Sequence, residues 1–149
     1  MKGSVAKAEP GHCFDLVELM GEQELNHIRA GWNVDPLDGV IAALEASEEA
    51  FSIFCDGLVG GMFGCCPDGS VWLVSNPLME GVRIQFVRQS REYISKMLER
   101  HEELGCYVAN SNTPLLGWLK FSGFLFVPYG DAYQKAVLKR GDFKCVCRR

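Results

Sequence analysis

Apolar residues recur along this chain with two different periods, and the changes of period mark its elements. Residues 3–9 alternate weakly and predict a short first strand, closed by Pro10-Gly11. From Cys13 to Met20 the apolar positions Leu16, Val17, Leu19 and Met20 take helical spacing, and a second helical piece runs from Glu22 to Arg29 beyond Gly21. Asp35 before Pro36 reads as an N-cap and first helical position. The helix behind it carries Leu37, Val40, Ile41 and Leu44 on one face. A β-meander follows: strands at 50–55, 58–66 and 71–75, joined by Asp56-Gly57 and by Pro67-Asp68-Gly69-Ser70. Gly60-Gly61 inside the second strand predicts a bulge or a close backbone approach. Asn76-Pro77 stops the third strand.

A long helix is predicted over about 81–103, with Ile84, Val87, Ile94, Met97 and Leu98 as its buried stripe and Arg83, Arg88, Arg91, Lys96 and Arg100 largely off it. A strand at 104–109 comes next. A short helix then starts at Thr113-Pro114, packs Leu115, Leu116, Trp118 and Leu119 inward and stops at Gly123. A strand at 124–127 ends at Pro128. The last segment, 136–147, is expected to turn at Arg140-Gly141-Asp142 and to form a final strand at 143–147 pairing with 126–129. Meander followed by strand–helix–strand crossovers predicts one α/β domain over residues 1–149, with a mixed, mostly antiparallel sheet flanked by helices on both faces.

Composition narrows the class. With 149 residues, 48% hydrophobic and 23% charged, the chain has the make-up of an ordinary globular domain and can bury roughly 70% of its extended surface. A net charge of −4 gives no general electrostatic case for nucleic acid. No apolar run reaches the roughly 18 residues of a membrane span, and Met1–Pro10 has no signal-peptide core, so a cytoplasmic protein is expected. The seven cysteines contain no C-x-x-C pair. They read as reduced, core-filling residues rather than zinc ligands, although Cys145 and Cys147 would share a face of the terminal strand. An edge strand at 143–147 would also allow a homodimer. Trp32, Trp72, Trp118 and the nine Phe are expected in the core.

The stretch Asn110-Ser111-Asn112-Thr113-Pro114-Leu115-Leu116-Gly117-Trp118-Leu119-Lys120-Phe121-Ser122-Gly123-Phe124 resembles the ending of the GNAT acetyltransferase superfamily: an Asn-rich turn, a short helix, then Gly-Phe. With the meander and long helix, the resemblance covers about residues 50–130. Val71-Trp72-Leu73-Val74-Ser75, the Arg-rich helix and Leu104-Gly105-Cys106-Tyr107-Val108 are also similar to a branch of small GNAT-like proteins of short-tailed phages that includes an internal virion protein.

The resemblance implies acyl-CoA as substrate and no metal. It places the thioester arm on Leu73, Val74 and Ser75, the pyrophosphate on Gly81, Val82 and Arg83 at the start of the long helix, and further contacts at Asn110 and Asn112. The family's glycine-rich phosphate loop reads Pro77-Leu78-Met79-Glu80-Gly81-Val82-Arg83-Ile84 here. Only Gly81 survives, and Glu80 brings an unhelpful negative charge that Arg83 and Arg88 would offset. The family's usual Tyr general acid aligns with Trp118, whose indole cannot supply the proton. Tyr129 and Tyr107 are the substitutes. Glu22, Glu24 and His27, in the region that lines the acceptor side in the family, are the candidate bases. Two functions follow as expectations: an acyl-CoA-dependent N-acyltransferase, or a non-catalytic phage protein, virion-associated, acting in assembly or as a binding module.

Overall fold

A computed structural model of the chain describes residues 1–143. The elements in order are β1 (Gly3–Lys7), α1 (Pro10–Glu18), α2 (Glu22–Trp32), α3 (Pro36–Ala46), β2 (Glu49–Cys55), β3 (Leu58–Cys65), β4 (Val71–Ser75), a 3₁₀ turn (Pro77–Gly81), α4 (Arg83–Arg100), β5 (Glu103–Ala109), α5 (Thr113–Ser122), β6 (Leu125–Tyr129), β7 (Tyr133–Lys139) and a last 3₁₀ turn (Arg140–Asp142). The fold is α/β, with antiparallel sheets flanked by helices. Two compact units divide the chain: Met1–Pro67 with Trp72–Phe86, and Asp68–Val71 with Val87–Arg149.

The first unit is the meander and its helices. Its sheet runs β1-β2-β3-β4, so β4 is a terminal strand. α1 packs on α3 and on β3, and α2 on α3. The core gathers Cys13, Leu16, Ile28, Val40, Val59, Met62 and Trp72. The glycine pair behaves as its spacing predicts. Ile53 pairs with Gly61 and Phe54 with Val59, which leaves Gly60 as the extra residue of a bulge. A Cβ on Gly61 would stand 3.2 Å from the Val74 carbonyl, and one on Gly60 would collide with Cys55 Sγ. Both positions need the missing side chain so that neighbouring chain can close in.

The second unit has its own sheet, ordered β5-β7-β6, with β7 antiparallel to both neighbours. Leu104, Val108, Ala136 and Leu138 alternate onto its buried face, and Leu119, Ile94, Met97 and Phe124 are buried as well. Ser70 bridges Gly105 in the parallel sense, and Gly105 donates to the Gly69 carbonyl at 3.0 Å. Asn112 caps α5 by accepting from the Leu115 amide, and Gly123 ends it with φ 97°.

Several expectations need correction. The strand that pairs with β6 is Tyr133–Lys139, and Arg140–Asp142 follows it instead of preceding it. The terminal strand expected at 143–147, with Cys145 and Cys147, lies outside the described residues save Phe143. α1 begins at Pro10 itself, because Pro suits a first helical position. In α4, Ile84 is 69% exposed, while Phe86 and Ser90 are buried with Ile94, Met97 and Leu98. The 3₁₀ turn before the helix rotates its phase, so the inward stripe is counted from Val82. Trp72 and Trp118 are core residues, but Trp32, Phe14 and Phe121 are not, at 38%, 55% and 47% exposure.

Candidate functional site

The residues assigned to a thioester and a diphosphate fall in the first unit, where β4 passes through Asn76 and the 3₁₀ turn into α4. Leu73, Val74 and Ser75 are half-buried. Asn76 is 2% exposed and fixes the exit from the strand. Its Nδ2 donates to the carbonyls of Val59 (2.9 Å) and Leu16 (3.2 Å), its Oδ1 accepts from the Leu78 amide (3.0 Å), and its own amide donates to the Gly60 carbonyl (2.9 Å). The bulge at Gly60 and the turn at 76–79 are therefore one construction.

Three amides of the turn are held within it. Leu78 N–H is held by Asn76 Oδ1, Met79 N–H by the Asn76 carbonyl and Val82 N–H by the Met79 carbonyl. Met79 is buried at 7% exposure, with its sulfur beside Gly61, and Val82 is buried at 2%. The first bond of α4 runs from Phe86 N to the Val82 carbonyl at 2.9 Å. By helix geometry this leaves the amides of Arg83, Ile84 and Gln85 without intrahelical acceptors, at the positive end of the helix dipole. The Arg83 guanidinium is exposed and sits 3.9 Å from the exposed Glu80 carboxylate. Such a pair is too solvated to hold Arg83 back from a better anion.

The chain's first residues lean on the same turn. Gln85 Nε2 donates to the Met1 carbonyl (3.2 Å), and Gln85 Oε1 accepts from the Gly3 amide (3.2 Å). Met1 Sδ lies 2.6 Å from where a Cβ on Gly81 would stand. Met1 therefore covers Gly81, the glycine that the sequence resemblance assigned to a phosphate loop.

The other candidates are placed as follows. Glu24 Oε1 accepts from the Gly21 amide at 2.7 Å and so caps α2. Glu22, in the first turn of the same helix, is exposed, and His27 is half-buried. In the second unit, Asn110 Nδ2 donates to the Asp131 carbonyl (3.2 Å) and its Oδ1 accepts from Gln134 Nε2 (2.9 Å), which ties the end of β5 to the start of β7. Asn112 is engaged as the α5 cap. Trp118, aligned with the family's acid, is 2% exposed, and its Nε1–H donates to Ser90 Oγ at 3.0 Å. Tyr129 is 60% exposed and packs on Tyr107, ring centres 4.8 Å apart. Sequence reasoning missed the bracing role of Gln85 and the buried role of Asn76. The Asn-Pro pair signalled a stop, but nothing local signals which carbonyls an asparagine will reach.

No protein-family model and no curated protein matches this sequence. Solved structures do match in shape. PH1933 from Pyrococcus horikoshii superposes with a TM-score of 0.67 at 10% identity, over 93% of this chain and 98% of that one. Spermidine N-acetyltransferase from Vibrio cholerae, solved with CoA and spermine, gives 0.64 at 12% identity over 94% and 96%. An acetyltransferase of the GNAT family from Streptococcus pneumoniae gives 0.57 at 12% identity over 93% and 99%. Identities this low speak for the fold and not for the activity. The fold of this chain is that of the GNAT acetyltransferases.

Proposed function

We propose that this chain binds an acyl-CoA along β4 and the first turn of α4, and passes the acyl group to an amine. The observation that carries the reading is local. A terminal strand of an antiparallel sheet leads, through Asn76 and a 3₁₀ turn, into a helix whose first-turn amides, at Arg83, Ile84 and Gln85, have no intrahelical partner. The unladdered side of such a strand suits the amide-bearing arm of CoA, and the helix start with Arg83 suits its diphosphate. The glycine-rich wrap of the family is absent. Leu78, Met79 and Val82 already use their amides, and Met1 covers Gly81. Diphosphate contacts therefore begin at Arg83, one turn later than in a full loop, which favours modest affinity.

In the transfer itself the acceptor nitrogen attacks the thioester carbonyl. A C–N bond forms, the C–S bond breaks, the amine loses a proton and the CoA sulfur gains one. The expected role in a virion, with phage proteins as partners, receives no support from the structure or the comparisons and forms no part of this reading.

Calorimetry with acetyl-CoA tests it. Binding should give measurable heat, and Arg83→Glu should weaken it about tenfold, or about 1.4 kcal/mol. No heat and no thermal shift at about 1 mM ligand, the concentration equivalent of about 4 kcal/mol, would remove the proposal.

A further inference from the structure

The sheet of the second unit has one face that is apolar and open. The β6–β7 and β5–β7 registers put Leu125, Val127 and Tyr129 beside Val137, Lys135 and Tyr133, with Tyr107 next to Lys135 on the far side. Leu125 is 66% exposed, and Val127, Tyr129 and Tyr107 are all above half. Four large apolar side chains on one sheet face, bared to this degree, form a patch of the kind that marks an interaction surface. One cation sits in the middle of it. Lys135 Nζ lies 5.7 Å from the Tyr107 ring centre, its cross-strand neighbours are Tyr107 and Val127, and no carboxylate among the described residues pairs with it. The surface asks for an apolar partner that carries negative charge.

The first unit has a surface of that chemistry. α1 turns Cys13 and Leu16 inward, so its outer side presents Phe14, Asp15 and Glu18, with Leu19 just past its end. Phe14 is 55% exposed and Leu19 44%. The local pattern matches the charge of each whole unit. By sequence, the first unit holds 12 Asp and Glu against 4 Lys and Arg, while the second holds 7 against 11. The modest overall charge of −4 conceals an acidic unit joined to a basic one.

We infer that the open β5–β7–β6 face of one molecule docks the α1 surface of a second copy, with Phe14 and Leu19 against the Tyr107–Tyr129 and Leu125–Val127 side chains, and Asp15 and Glu18 against Lys135. The apolar contact supplies affinity, and the opposed charges fix orientation and speed encounter. A symmetric face-to-face pairing of the two sheets is disfavoured, because it would bring Lys135 against Lys135 in a low-dielectric contact. The surfaces used are β5, β6, β7 and α1.

Sedimentation velocity over a range of protein concentrations tests this on the full chain. Wild type should self-associate, and association should weaken about tenfold on raising salt from about 0.05 to 0.5 M. Lys135→Glu alone, and Asp15→Lys with Glu18→Lys alone, should each be monomeric while keeping the wild-type circular dichroism, since all three positions are exposed. Mixing the two variants should restore a complex, because each then offers the charge the other lacks. A wild type that stays monomeric at every concentration overturns the inference. So does self-association that Lys135→Glu leaves unchanged, or a mixture that associates no better than its components.

Discussion

Asn76 has a carboxamide with almost no access to water, and every group it owns is engaged by a different stretch of chain. Its Nδ2 holds the Val59 and Leu16 carbonyls, and its Oδ1 holds the Leu78 amide. An alanine there strands two acceptors and one donor in the core, and a buried group without its partner costs about 1–3 kcal/mol. Asn76→Ala should therefore cost about 2–4 kcal/mol, seen as a lower urea midpoint with an unchanged slope. Asn76→Asp should do no better, since a carboxylate has no hydrogen to give the two carbonyls. A substitution that moved the midpoint by less than about 0.5 kcal/mol would mean that these bonds are replaced by water at no loss.

The cysteines lead to a pH prediction at the same scale. Burial pushes the Cys106 thiol up to about 12, and Cys13 and Cys55 are raised as well, first by burial and then by the nearby carboxylates of Glu45 and Asp56 respectively. A folded pKa above the unfolded value favours the neutral thiol in the native state. Its contribution is complete below the ordinary thiol range near 9 and is lost as pH rises toward the folded value. Stability should thus fall as pH rises from about 9 toward about 12, and Cys106→Ala should flatten that fall. Alkylation by iodoacetamide near neutral pH should spare Cys13 and Cys55 until the chain is unfolded.

At the scale of elements, α4 and α5 are joined by a buried polar contact between Ser90 and Trp118. Ser90 Oγ accepts from Trp118 Nε1–H and donates to the Val87 carbonyl. Ser90→Ala removes the acceptor and leaves a buried indole N–H, for an expected loss of about 1–3 kcal/mol. In Trp118→Phe the N–H is gone, so adding Ser90→Ala to it should cost much less than on wild type. A double-mutant cycle showing additive losses would contradict the contact.

The same helix shows what could and could not be read from the chain. The helix was legible from its 3.6-residue period, and Ile94, Met97 and Leu98 are buried as that period predicts, but the phase of its first turns was not legible. Counting apolar residues from Gly81 puts Ile84 on the stripe, whereas the 3₁₀ turn Pro77–Gly81 rotates the start and delivers Phe86 and Ser90 inward instead. Ser90 was invisible as a core residue because its partner, Trp118, lies 28 positions away. The meander was legible throughout, since its hairpins are local and Asp-Gly and Pro-Asp-Gly turns punctuate them. β7 was not. Tyr-Gln-Lys-Ala-Val-Leu-Lys carries polar residues on its open face and in its first half, and the more apolar 143–147 drew the assignment. Its place between β5 and β6 is a long-range pairing that local pattern does not encode. At the candidate site, the position of the β4–α4 turn was legible, and so was its departure from the glycine-rich loop. The cover that Met1 places over Gly81 was not, because it joins residues 80 positions apart.

For the whole molecule, the two compact units are not two consecutive lengths of sequence. The chain leaves the first unit at Pro67, returns at Trp72 and leaves again after Phe86, about one turn into α4. A boundary inside an unbroken helix is a poor place for independent unfolding. To melt the first unit alone, the hydrogen bonds spanning Phe86 and Val87 would have to open, and the rest of α4 would take on a new frayed end. We therefore propose that residues 1–149 unfold as one cooperative domain. The tryptophans provide separate reporters, since Trp32 and Trp72 belong to the first unit and Trp118 to the second. With Trp32→Phe and Trp72→Phe, fluorescence follows the second unit alone, while Trp118→Phe leaves the first. Urea titrations of the two variants should each coincide with their own far-ultraviolet circular dichroism in a single transition. Fluorescence midpoints that separate from the circular dichroism, in opposite directions for the two reporters, would mean that α4 breaks near Phe86 and that the units are separate folding domains.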